Sequence, residues 1–327
     1  MKLFTLLTLL CALSAPGEES AWVTVGDPGN PPDKAGCGGV AYEYQIGRFE
    51  VTVEQYVGFL NAVATDDSHQ LWHPSMGLAE YRITEPVFAG RVPPRMPGCI
   101  RRTGDPGGYH YEAVTGWEKK PVVYVSFLDA MRFANWLHNG GGKGDTETGA
   151  YNLAKHGGLA PHEPGARVWV ATENEWVKAA YFHPPEKGGP EGGYWLYPTQ
   201  SHELPGLQEP GAPGANLANF FNLRLPKSQF TDYTRILPVG SFPKAASHYG
   251  TFDQGGNVSE WNEAVVYQTQ RRIRGGSVGD AFEVLQRVTR ISSRPEKEYP
   301  DTGFRLARPV PAPATGRLGF AQPSSQR

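Results

Sequence analysis

The stretch GGNVSEWNE, residues 255–263, brings two glycines, two amides, a hydroxyl, two carboxylates and a tryptophan into one turn-like run. With the preceding residues it reads FDQGGNVSEW, which spaces Asp253 and Glu260 around a backbone loosened by Gly255 and Gly256. Such a loop can fold around a cation, because calcium takes six to eight hard oxygens, and two carboxylates with glycine-exposed carbonyls supply that chemistry. The alternative is a solvated turn in which Asn257 closes an Asx motif. Asn257-Val258-Ser259 is also an Asn-glycosylation sequon.

Working outward, the 327 residues are 39% apolar and 12% aromatic, ample for a folded core. Lys and Arg (31) nearly balance Asp and Glu (33), so no whole-molecule field would recruit nucleic acid or an anionic membrane. The 40 glycines and 29 prolines are spread along the chain, which predicts many turns and long surface loops on one scaffold.

Met1 and Lys2 precede the apolar run LFTLLTLLCALSA, which has the size and small-residue ending of an export signal over residues 1–21. It is shorter than the roughly 20 apolar residues of a spanning helix, so the mature protein is expected outside the cytoplasm (periplasmic, cell-surface or secreted) with no transmembrane segment. Bulky Leu10 argues against lipidation of Cys11. Cys37 and Cys99 then remain, either as one disulfide, stabilising by about 4 kcal/mol through chain entropy, or as two buried thiols.

Three helices have explicit starts. Thr52 and Gln55 form a capping-box pair in VTVEQYVGFLNAVA, Ser126 caps VSFLDAMRFANWLHNGGG with Asp129 three residues on and Gly140 as its stop, and Thr172 and Glu175 open VATENEWVKAAYFHPP, which Pro184 ends. Each follows a short strand-like run: YEYQIGRFEV, KPVVYV and ARVWVA. The second half alternates short apolar pieces with Gly, Pro, Asn and Asp, so the order predicts α+β and not a doubly wound sheet. The segment 309–327 reads as a disordered tail.

Easy catalytic signatures are missing: no nucleophile elbow, Walker loop, dinucleotide fingerprint, paired CxxC or HExxH occurs. GGGKGDTETG, residues 140–149, lacks the Lys-Ser/Thr ending of a phosphate cradle and reads as surface loop. His69 and His73 would share a helical face as a metal pair, but Pro74 and the lack of a carboxylate favour ordinary packing roles.

Five motifs in order, EVTVEQYVGFLN, VATENEW, GNVSEW, RIRGGSV and DTGFRLA, resemble the sulfatase-modifying-factor domain, the family of the formylglycine-generating enzyme. The likeness runs over residues 22–308 and implies that family's C-type-lectin-like α+β fold, a single domain with little regular secondary structure and structural calcium. The family's calcium motif carries onto the side chains of Asp253 and Glu260 and the carbonyls of Gly256 and Val258, with Asp for the usual Asn and Ser259 for the usual Trp. A second calcium site implied by the resemblance falls on Asn216, Leu217, Asp232 and Thr234.

The enzymes that name the family bind copper through two cysteines shortly after RGGS. Here VGDAFEVLQRVTRISSRP follows, and no cysteine occurs beyond Cys99, so copper-dependent formylglycine formation is not expected. What stands there is a groove-like prospect of Arg274, Ser277, Asp280 and Arg290 with Trp195, able to bind a peptide, protein segment or small anionic ligand. The plainer reading makes these arginines loop ties. The expected function is thus an exported, calcium-stabilised binding domain; the alternatives are sulfatase maturation, or other oxygen and sulfur chemistry, by a non-cysteine route.

Overall fold

The computed structural model describes residues 21–78, 81–82, 95–96, 98–207, 209–221 and 233–312. Residues 1–20 of the expected leader, Asp232 and the tail beyond Ala312 lie outside the described residues.

In chain order the strands and helices are β1 (Trp22–Val25), β2 (Tyr44–Gly47), α1 (Val53–Val63), β3 (Tyr81–Arg82), β4 (Arg95–Met96), β5 (Ile100–Thr103), β6 (His110–Ala113), α2 (Phe127–His138) and α3 (Leu153–His156). They continue with β7 (Trp169–Val170), α4 (Glu173–Tyr181), β8 (Ser259–Val266), β9 (Gln270–Arg274), β10 (Ile291–Ser293), β11 (Thr302–Phe304) and β12 (Leu306–Pro309).

Local chemistry sets the helices. Each of α1, α2 and α4 begins in a complete capping box, at Thr52/Gln55, Ser126/Asp129 and Thr172/Glu175, so the orphan N–H groups of the first turn are satisfied within three residues. At α4 the box is also a tertiary anchor, because the Glu175 carboxylate accepts from Trp169 Nε1 at 3.0 Å and from the Tyr42 hydroxyl at 3.0 Å. Thr172→Ala is expected to cost about 1 kcal/mol in urea unfolding, since Glu175 N loses its 3.2 Å acceptor. A loss below a few tenths would mean that water replaces the cap.

Two four-stranded sheets organise the rest, in the orders β1-β2-β12-β7 and β10-β9-β8-β11. The first is antiparallel; in the second, β11 runs parallel to β8, with Thr302 opposite Ser259 and Phe304 opposite Trp261. β11 and β12 lie in different sheets and are separated by one residue, so the chain changes sheet at Arg305. Against this frame α1 and α2 pack through Phe59 and Phe133, whose centroids are 5.3 Å apart, and Phe133 meets Phe304 of β11 at 5.5 Å.

The expected α+β class is what forms, with no α-helix after Tyr181 among the described residues. One strand expectation fails: KPVVYV is buried but makes only a bridge from Pro121 to Thr52, because Tyr124 adopts a left-handed φ of 58° that ends any extended run. The tail boundary also moves, since Pro309 pairs with Tyr44 at the end of β12. No described helix is long and apolar enough to cross a membrane.

Candidate functional site

The turn 253–261 is held by left-handed residues at Asp253 (φ 60°), Gly256 (φ 90°) and Asn257 (φ 59°). A Cβ on Gly256 would fall 2.4 Å from the Asn219 carbonyl, so that carbonyl's approach requires glycine. Asn257 is 2% exposed. Its Oδ1 accepts from Leu237 N at 2.9 Å and Asn219 Nδ2 at 3.2 Å, and its Nδ2 donates to Glu50 Oε1 at 3.4 Å. The sequon is therefore buried and spent on internal bonds, which corrects its reading as a glycan acceptor.

Glu260 is fully buried. Its Oε1 accepts from Arg305 Nη2 at 2.6 Å, and its Oε2 from Arg305 Nε at 2.7 Å and Trp176 Nε1 at 2.8 Å. Arg305 also donates to the carbonyls of Gly47 (3.0 Å) and Phe252 (2.9 Å), joining β2, β8 and the loop before the turn. Beside this pair stand two more carboxyls. Burial, then the charge of Asp253, pushes Glu50 well above the usual carboxylate range, while burial pushes Asp253 up to about 6 despite a bond from Gly240 N at 2.6 Å.

Three carboxylates against one guanidinium leave two negative charges in excess when all are ionised, and Glu50 Oε2 is buried without a hydrogen bond. Those are features that fit a hard divalent cation. Against them, Glu260 is committed to three N–H donors, and among the described residues no three acidic, His or Cys side chains are placed to hold a metal. Asn216 of the second expected calcium site accepts from the Thr199 hydroxyl at 2.6 Å and donates to Ser201, Glu203 and Leu204 between 3.2 and 3.3 Å, so it clamps its own loop. Leu217 bridges Gly206, Thr234 lies in the 3-10 turn Tyr233–Arg235, and Asp232 is outside the described residues.

The RGGS region separates into three clusters. Arg274, 2% exposed, donates to Glu173 Oε1 (Nε at 2.9 Å) and to the Arg287 and Thr289 carbonyls (2.8 Å each), a loop tie as the plainer reading held. Arg290 donates to the Ala35 carbonyl at 2.8 Å and approaches Cys37 Sγ at 3.1 Å. Trp195 is half-buried among histidines, with Nε1 3.4 Å from His183 Nδ1 and its ring 5.0 Å from that of His202.

Ser277 and Asp280 join a residue that the motif reading missed. The Ser277 hydroxyl oxygen lies 2.7 Å from Asp301 Oδ2 and 3.0 Å from Asp280 Oδ2, and it accepts from Gly279 N at 3.1 Å. One hydroxyl proton cannot serve two carboxylates, so the second short contact calls for a proton on one of the acids. Burial, with the charge of Asp280 opposing ionisation, raises Asp301 to about 6, so Asp301 takes up that proton as the pH falls toward this value. The ring of Tyr233 closes over Gly279, where a Cβ would sit 2.7 Å from it.

The model of the sulfatase-modifying factor enzyme 1-like domain matches residues 38–310. The chain belongs to this family. The hercynine oxygenase of Mycolicibacterium smegmatis is 26% identical over 290 residues, covering 81% of this chain and 52% of that enzyme, so the chain spans about half the length of the curated relative it matches. Among solved structures, CarF aligns with a TM-score of 0.52 at 22% identity over 89% of this chain and 98% of its own, a likeness of fold.

Within the sulfatase-modifying-factor family, the question is which groups stand near RGGS. Tertiary structure brings Cys37, from the loop before β2, against Arg274 (Nη2 at 3.7 Å) and Arg290. Its thiol is nonetheless raised, because burial and the charge of Glu173 outweigh the two arginines. Cys99 is fully buried and pushed up to about 12. Both are free thiols, which answers the open pairing question: Cys37 packs at the arginine cluster, and Cys99 beside Met76 and Val114. His69 and His73 also part, to Glu147 at 3.5 Å and Glu298 at 3.7 Å, because the segment is not an α-helix.

Proposed function

We propose that the protein is an exported member of the sulfatase-modifying-factor family that binds a peptide or small ligand beside RGGS and does not form formylglycine through copper thiolates. The observation that carries this reading is the Ser277–Asp280–Asp301 cluster, which places hydroxyl and carboxyl chemistry after RGGS, with both described thiols buried and raised. Calcium is the structural ion of this reading, proposed on the side chains of Asp253 and Glu260 with the carbonyls of Gly256 and Val258. Its support is Glu50 Oε2 beside them, buried without a hydrogen bond and 3.9 Å from Arg305 Nη2; there calcium would supply neutralising charge.

A second reading, an oxygen or sulfur oxidoreductase working by a non-cysteine route, is favoured by the raised Asp301 carboxyl on the Ser277 hydroxyl and by the oxygenase relative. One experiment separates the two: copper, iron, zinc and calcium quantified per purified chain, followed by oxygen uptake with a cysteine-containing peptide and with a small thiol. Calcium alone and no oxygen uptake is the expected result. Stoichiometric copper or iron with thiol-dependent uptake would overturn the binding reading in favour of the oxidoreductase.

A further inference from the structure

A cavity of about 560 Å³ lies between the first sheet and helices α1 and α2, with no residue of RGGS in its wall. Trp22 of β1 and Leu306 of β12 line it from the sheet, and Phe133, Trp136 and Leu137 line it from α2. Its volume is that of a small-molecule site, and its wall is mainly apolar and aromatic. Helix α1 contributes a gap. Gly58 stands in the middle of α1, on the cavity, and a Cβ built on it would meet nothing within 4 Å. Glycine is less favourable than alanine inside a helix, and here neither packing nor a left-handed backbone calls for it. The missing side chain keeps the space open.

Most polar groups of the wall are already committed. Thr52 and Gln55 are spent on the capping box of α1. Glu50 turns its carboxyl away, Oε1 lying 3.4 Å from Asn257 Nδ2 and Oε2 3.9 Å from Arg305 Nη2. Glu54 stands in the first turn of α1, where the positive end of the helix dipole compensates it. Arg167 is different: it is exposed, and its guanidinium donates to the carbonyl of His138 and not to a carboxylate. Arg308 of β12 brings a second guanidinium to the same wall, stacked 4.3 Å over the Trp22 ring.

We propose that this cavity binds an amphiphilic carboxylate, its apolar chain laid over Gly58 among Trp22, Phe133 and Trp136 and its carboxylate on Arg167 at the rim. Burial of the chain supplies the affinity, and the planar fork of the guanidinium selects the head group. An organic cation is disfavoured by the two guanidiniums, and a bare inorganic anion would leave the apolar wall in water.

The test is calorimetry of the full chain with octanoate, octan-1-ol and octylammonium, each below its micellar range. Octanoate is expected to bind saturably, about threefold or more tighter than octanol, with octylammonium weakest. Arg167→Gln should remove the preference for octanoate and leave octanol binding unchanged. Gly58→Leu should fill the space and weaken all binding about tenfold or more. Its ligand-free Tm should be no lower than the parent's, because leucine is the better helix former and its Cβ meets nothing there. Octanol binding as tight as octanoate, a Gly58→Leu affinity within about twofold of the parent, or no saturable binding at millimolar concentration would overturn the proposal. So would octanoate binding that appears only after removal of residues 1–20 or 313–327, since a segment of the chain would then fill the cavity. A dimer that octanoate dissociates would likewise make a second copy the occupant.

Discussion

Arg305→Met is expected to destabilise the domain by about 3–5 kcal/mol, the usual loss when one partner of a buried ion pair is removed. The side chain is fully buried, and it is the single residue between β11 and β12, where the chain passes from one sheet to the other. Its removal strands the Glu260 carboxylate with only Trp176 as donor and frees the carbonyls of Gly47 and Phe252. Against a total stability of about 5–15 kcal/mol, that loss brings the domain close to unfolding. Arg305→Met combined with Glu260→Gln should recover part of it, because the Glu260 charge is then no longer stranded. Urea unfolding of the single and double variants decides the matter: a single-variant loss under about 1 kcal/mol would mean that Arg305 does not hold the sheets together.

Asp253→Asn is expected to stabilise the protein by roughly 3 kcal/mol at pH 7 in chelator, and to leave it unchanged at pH 4. The sign follows from direction. The Asp253 carboxyl is raised in the fold to about 6 from 3.8, so the folded state binds more protons between those values and the parent's stability falls as pH rises through that window. Asparagine removes the titration, keeps an acceptor for Gly240 N and tolerates the left-handed φ of 60°. Calcium should reverse the sign. A divalent ion on that carboxylate would favour its charged form, so in calcium the same substitution should destabilise. Thermal melts across pH with calcium or chelator read both effects; stabilisation of equal size in both solutions would remove Asp253 as a calcium ligand.

The three main helices were legible because their signals are local. A threonine or serine followed three residues later by Gln, Asp or Glu satisfies the helix end by itself, and Thr52, Ser126 and Thr172 do so in the fold. Burial is not local. KPVVYV carries the composition of a strand, yet packing of the Tyr124 ring against His73 accompanies a left-handed backbone that no propensity announces. Asn257 has a sequon's spelling, and only the approach of Asn219, Leu237 and Glu50 shows that its amide is consumed inside.

The candidate site divides along the same line. The five motifs from EVTVEQYVGFLN to DTGFRLA carried the resemblance to the family, which the match over residues 38–310 shows, and the order of locally capped helices and short strand runs carried the α+β class. Tertiary structure decided that Glu260 faces a guanidinium 45 positions away, that Cys37 meets Arg274 across 237 positions, and that Asp301 shares the hydroxyl of Ser277. Those outcomes rest on desolvation and charge pairing, which depend on what surrounds a group in space; sequence spacing carries the identity of a carboxylate, and the fold alone determines whether a cation, a proton or nothing stands beside it.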